Sequence, residues 1–135
     1  MSLSTEDHLA ILNLANRYGQ AFDFGDPEAY VNCFTPDGIF DAQPVILANG
    51  HEELRNFCAG SGEEARRSRH WMGNTVVDGD GDEATMTTYL MMVNTGADSS
   101  TGVTGVYRDK LVKQNGEWKI QHRKLTFEEP PHGFE

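Results

Sequence analysis

Two periodicities divide the chain. Between Leu9 and Phe22 apolar residues recur every three or four positions, as Leu9, Leu12, Ala15, Tyr18 and Phe22, with Ile11, Leu14 and Ala21 widening the stripe. That spacing predicts a helix with one broad buried face. Ser4 or Thr5 suits its N-cap, and Glu6 and Asp7 place carboxylates at the positive end of the helix dipole. Gly25 stops this helix. Asp26 and Pro27 then start a second over about 28–34, since Asp caps well and Pro fits the first helical position. Thr35-Pro36-Asp37-Gly38 has the residue types of a turn, Ile39-Phe40-Asp41 reads as a short strand, and a third helix is expected from near Gly50, with Leu54, Phe57 and Cys58 on one face.

Beyond Arg69 helical spacing gives way to alternation. Turn signals at Asp78-Gly79-Asp80-Gly81, over 96–102 and at Asn115-Gly116 divide the remainder into strands at about 70–77, 84–94, 103–113 and 117–127. Strands joined this way form an antiparallel meander. Three helices followed by a meander predict an α+β fold, in which a curved sheet closes around the helices and leaves a cavity. The domain is expected to occupy 1–127, and the polar tail 128–135 to leave it.

Composition narrows the partners. A chain of 135 residues has room for one core, and 38% apolar residues exclude a disordered chain. Acidic residues outnumber basic ones 21 to 11, and the resulting charge of -10 repels phosphate backbones and anionic lipid. Nucleic acid and membranes are therefore not expected partners. The longest apolar runs, such as Tyr89-Leu90-Met91-Met92-Val93, fall far short of the roughly 20 residues of a membrane helix. With neither a basic start nor an apolar stretch at the amino terminus, a cytoplasmic location is expected. Cys33 and Cys58 lack a C-x-x-C spacing and read as buried free thiols.

Some apparent motifs fail on inspection. Asp78-Gly79-Asp80-Gly81-Asp82 imitates a calcium loop, but Glu83 stands where that loop requires glycine and Tyr89 where it requires glutamate. Gly60-Ser61-Gly62 with Ala65 imitates a dinucleotide fingerprint but follows a helix instead of a strand. The histidines lack metal-site spacing, so no metal is expected. Arg66-Arg67-Ser68-Arg69 reads as a solvated connection or as a steering patch for an anionic substrate.

Five stretches, taken together, resemble the SnoaL-like branch of the nuclear-transport-factor-2-like superfamily. They are Arg17-Tyr18 through Asp23-Phe24-Gly25-Asp26, Phe34-Thr35-Pro36-Asp37-Gly38, Arg69-His70 with Asn74, Gly105-Val106-Tyr107-Arg108-Asp109, and Gly116-Glu117-Trp118-Lys119-Ile120. Polyketide cyclases, scytalone dehydratase and the small subunits of ring-hydroxylating dioxygenases belong to that superfamily. The resemblance implies a cone with a deep apolar pocket, which in different members hosts lyases, isomerases, cyclases and non-catalytic subunits.

An unpaired carboxylate at Asp23, between Phe22 and Phe24, would be costly. Resemblance to scytalone dehydratase implies that His70 is its partner, giving an acid–base pair that works without a cofactor. The alternative is structural, with Asp23 ending a helix and His70 sitting in the core. Tyr18 and Tyr107 could polarise a substrate carbonyl or simply pack. Asn74 alternates onto the same strand face as His70 and Met72 and could orient substrate or pair with backbone. Met72, Met86, Met91 and Met92 would line a pocket for a flat or aromatic ligand if they face inward. Scytalone dehydratase carries a second pocket histidine on the strand that here reads Thr88-Tyr89-Leu90-Met91-Met92-Val93. His122 could face either side, and His8, His51 and His132 read as solvent-facing. The expected activity is a lyase or isomerase acting on a small cyclic or aromatic carbonyl compound, in a homo-oligomer. The alternative is a non-catalytic binding or assembly module, such as a dioxygenase small subunit.

Overall fold

Ser4 caps the first helix, its hydroxyl accepting the Asp7 amide at 3.0 Å. In the computed structural model, which describes residues 2–97, 99–131 and 133–134, the chain runs α1 (Thr5–Asp23), α2 (Pro27–Val31), β1 (Phe34–Ala42), β2 (Ile46–Asn49), α3 (Gly50–Gly60), α4 (Gly62–Arg66), β3 (Ser68–Asp80), β4 (Glu83–Asn94), β5 (Ser100–Gln114) and β6 (Glu117–Phe127). One sheet of order β2-β1-β6-β5-β4-β3 curves around the helices. Strands β3 to β6 form the antiparallel meander, β1 joins β6 in parallel, and β2 folds back on β1. The α+β expectation holds. No helix among the described residues is long and apolar enough to cross a membrane.

Local chemistry explains most boundaries. Asp26 accepts the Ala29 amide at 3.1 Å and starts α2 with Pro27 in its first turn. Asn115 and Gly116 both take positive φ, 53° and 80°, as a tight hairpin demands. Cys33 and Cys58 are buried free thiols.

Several expectations need correction. Leu9 and Leu12 are 62% and 37% exposed, and the buried stripe of α1 consists of Ile11, Leu14, Ala15, Tyr18, Ala21 and Phe22. Leu9 lies about 200° around the helix from Ile11, beyond the reach of the sheet. The second helix ends at Val31, because Phe34 already pairs with Ile120 of β6. Thr35-Pro36-Asp37-Gly38 is a bulge inside β1, where the register shifts between Phe34 and Ile39, and Thr35 Oγ1 donates to Asp37 at 2.9 Å. Strand β2 and helix α4 were not expected from the pattern. After β6 the Glu128 amide still donates to Thr104 at 3.1 Å.

Asp7 ties α1 to the β5–β6 hairpin. One of its carboxylate oxygens accepts from Trp118 Nε1 at 2.9 Å and from Lys113 Nζ at 3.1 Å. These bonds, that from Trp118 foremost, lower its pKa from 3.8 to about 2. A carboxyl depressed on folding adds stability that is present above its unfolded pKa and lost as pH falls through its folded one. Between pH 4 and 2, urea midpoints of the wild type should therefore fall more steeply than those of Asp7→Asn. Parallel slopes would show that the tether carries no pH-dependent stability.

Candidate active site

Asp23 closes α1 and His70 lies near the start of β3, so the packing of α1 on β3 brings the two together. The carboxylate clamps the histidine at two points, accepting from Nδ1 at 2.6 Å and from the His70 backbone amide at 2.9 Å. Both side chains are about 5% exposed. In the neutral ring, donation from Nδ1 to the carboxylate leaves the lone pair on Nε2. Nε2 has no hydrogen-bond partner among the described residues. Tyr18 and Phe22 meet the imidazole ring edge-on, with centroids 6.1 and 5.4 Å away.

His70 forms part of the wall of a cavity of about 250 Å³ between the helices and the sheet. Phe22, Phe40, Phe57, Leu90 and Met92 supply much of the apolar lining, and Pro131 lies over it from beyond β6. Among the described lining residues only His70, Tyr18 and Tyr107 carry polar side-chain groups. A wider depression of about 660 Å³, bordered by Trp71, Asn74, Tyr89 and Met91, holds no histidine or paired carboxylate, and another of similar size behind the pair, where Asp23 and His70 meet Asn13, Asn16, Gln20 and Arg69, is polar, so the apolar cavity is the better setting for proton chemistry.

The cavity gathers His70, Tyr18, Tyr107 and Met92, with Asp23 directly behind His70. Met72 and Asn74 do not line it. Alternation along β3 breaks where the register shifts between Gly73 and Val76; Asn74 takes a φ of 51° there and borders the wider depression. Met72 packs against α1, its terminal methyl 2.8 Å from where a Cβ on Gly19 would stand. Met86 is core, and Met91 is 37% exposed. His51 is half-buried, and its Nε2 lies 3.0 Å from the Phe34 carbonyl oxygen, so it is not simply solvent-facing. His122 faces away from the cavity, since its neighbour Arg123 points inward and is fully buried. His132 lies outside the described residues.

One feature escaped the pattern reading. Arg123 forms a two-point ion pair with Asp109, Nε to Oδ1 at 2.8 Å and Nη2 to Oδ2 at 3.1 Å, and neither side chain is exposed. Its guanidinium stacks 3.7 Å from the Tyr107 ring centroid and 4.3 Å from that of Tyr18. Burial pushes the Asp109 carboxyl above its ordinary value, against the pull of Arg123. Burial likewise holds both phenols well above their ordinary range. A signal was available in β6: Trp118 and Ile120 are buried at even positions and Leu125 at an odd one, and only a bulge reconciles them. The register shift opposite Lys110 and Leu111 is that bulge, and it turns Arg123 inward.

Among the described residues no cluster of three or more His, Cys, Asp or Glu side chains could hold a metal ion. Burial also raises the Cys58 thiol to about 11, which leaves it a poor nucleophile.

Residues 4–124 match the model of a family described as a SnoaL-like domain. A solved protein of unknown function with a cystatin-like fold, from Nostoc punctiforme, is 32% identical, with 98% of each chain covered and a TM-score of 0.90. A protein from Novosphingobium aromaticivorans, provisionally assigned as an aromatic ring hydroxylase, is 28% identical over 95% of this chain and 93% of its own, with a TM-score of 0.76. Another from that organism, provisionally assigned as a scytalone dehydratase, shares the fold at 24% identity, with 91% and 85% covered and a TM-score of 0.80. No curated protein matches the chain.

Proposed function

Because the chain belongs to the SnoaL-like domain family, whose fold scytalone dehydratase and polyketide cyclases share, we propose that it is a cofactor-independent acid–base lyase or isomerase acting on a small cyclic or aromatic carbonyl compound. The main support is the Asp23–His70 pair, joined at 2.6 Å and set in the wall of an apolar cavity. Nε2 takes a proton from the carbon next to the carbonyl, and the electron pair of that C–H bond moves onto the oxygen as an enolate. Tyr18 or Tyr107 donates a hydrogen bond to this oxygen. The enolate then collapses, and the proton on Nε2 goes either to another carbon, giving an isomer, or to a β-hydroxyl that leaves as water, giving an enone. Asp23 stabilises the imidazolium in between. A general base of this kind contributes about 10²- to 10⁴-fold, and a preorganised donor to the oxyanion about another 10²- to 10³-fold.

Volume restricts the substrate. Ligand pockets commonly measure about 300–1,000 Å³, so 250 Å³ suits one ring or a compact bicyclic compound and is too small for a fused polycycle. We place Tyr18, Tyr107 and Met92 at the substrate, and Met72 and Asn74 beside the site without contact to it. The assembly-module reading draws on the outer sheet face, where Trp71, Val76 and Tyr89 are 67%, 60% and 56% exposed. That face also suits self-association of an enzyme, so it does not favour the module alone.

Proton exchange separates the two readings. Cyclopentanone, cyclohexanone and 1-indanone are incubated with protein in D₂O containing a chelator, and loss of the α-proton signals is followed by NMR. Saturable acceleration over buffer is expected for at least one ketone. Buffer rates for all three would leave the module as the better reading.

A further inference from the structure

The cavity has two unlike ends. Tyr18, Phe22, Phe40, Leu90, Tyr107 and Leu125 wall its inner part and are buried. Val45, Ile46, Phe57, Val103, Phe127 and Pro131 line the same space but keep part of their surface in water. Sheet topology explains the division. Val103 lies near the start of β5, Phe127 ends β6 opposite Gly105, and Val45 and Ile46 follow the end of β1, whose Asp41 pairs with Lys124 of β6. All of these sit at one end of the sheet, and there the cone opens.

Polar groups are confined to the inner part. Tyr18 and Tyr107 are buried and the His70 side chain is 6% exposed, whereas none of the six residues at the opening has a polar side chain. Beyond the opening the apolar surface continues. The Phe134 amide donates to the Pro131 carbonyl at 3.0 Å, which holds Phe134 next to Pro131 with 44% of its surface exposed. Exposed apolar surface that is continuous with a pocket marks where a ligand continues. A cavity of about 250 Å³ holds one ring, so a group attached to that ring on the side away from the inner polar residues leaves through the opening. Against this rim a methylene exchanges water for apolar contact, but a carboxylate or hydroxyl loses hydration without finding a partner.

We infer that the substrate carries an alkyl chain on a ring carbon remote from its carbonyl, and that the rim from Ile46 across Val103 and Pro131 to Phe134 is the subsite for this chain. The compound class is an alkyl-substituted cyclic or aromatic ketone; acids, glycosides and phosphate esters are disfavoured at the rim. That the carbonyl points inward rests on the acid–base reading above, whereas the preference for an apolar substituent rests on the opening itself.

The length of the alkyl chain provides the test. The probes are 4-methyl-, 4-propyl- and 4-pentylcyclohexanone, titrated into the protein by calorimetry, with 3-(4-oxocyclohexyl)propanoic acid as a charged counterpart of the propyl compound. Exchange of α-protons is followed in parallel by NMR. Affinity should rise about two- to threefold per methylene, and the acid should bind no better than the methyl compound. Val103→Asp should flatten the series. Pro131→Glu, which lies after β6 and outside the sheet, should do the same and provides the test should the first variant not fold. Equal affinities along the series, an acid that binds as tightly as the propyl ketone, no binding by any member, or an undiminished dependence on alkyl length in both variants would overturn the inference. The two failures are distinguishable. If affinity rises along the series while no ketone exchanges protons, the subsite stands without the reaction; if exchange occurs with KM indifferent to alkyl length, the reaction stands without the subsite.

Discussion

Replacing His70 by glutamine is expected to slow α-proton exchange by about 10²- to 10⁴-fold while the protein stays folded. Glutamine keeps the backbone amide that donates to Asp23 Oδ2, and its side-chain NH₂ offers the carboxylate a donor in place of Nδ1. It has no nitrogen that takes up a proton near neutral pH, so the chemical step is lost and the architecture is not. Asp23→Asn should lower the rate by a smaller factor, since Asp23 meets the substrate only through the ring it orients. The double variant should then be no slower than His70→Gln alone, because groups that act as a unit are strongly non-additive. NMR exchange rates for the four proteins decide this, and independent, multiplying effects would show that the pair does not work as a dyad.

Removing Asp109 should produce the largest loss of stability. Asp109→Leu leaves the Arg123 guanidinium at zero exposure without its counterion, a change that costs about 3–5 kcal/mol in buried pairs. Adding Arg123→Met should restore most of that loss, since an apolar pair of similar volume carries no desolvation penalty. Urea unfolding midpoints of the single and double variants measure both steps. A single variant as stable as the wild type would mean that Arg123 finds another partner or reaches water.

The same bulges that build the site are what hid parts of it. The meander was legible because alternation over long strands is a strong signal, and Asn115-Gly116 marked its last turn without ambiguity. Asp23 and His70 are paired in the sequence only through the resemblance to scytalone dehydratase, since nothing local says that α1 packs on β3. Asn74 was misplaced because one irregular residue reverses the face of everything after it, and the sequence Gly73-Asn74 reads equally well as strand or turn. Thr35-Pro36-Asp37-Gly38 posed the same ambiguity, since turns and bulges draw on the same residue types. Arg123 was overlooked for a different reason. An arginine is read as solvent-facing by default, and its burial depends on Asp109 standing opposite it on β5, a pairing that only the register reveals. Leu9 and Leu12 show the converse error, in which apolar residues extend the predicted stripe past the face that the sheet covers.

The most direct test of the account is a crystal structure of the protein soaked with 1-indanone. The ketone should lie in the cavity bounded by Phe22, Phe40 and Phe57, its α-carbon about 3–3.5 Å from Nε2 of His70 and its oxygen against the hydroxyls of Tyr18 or Tyr107. A ring bound only on the outer sheet face near Trp71 and Tyr89, with the cavity closed around His70, would contradict it.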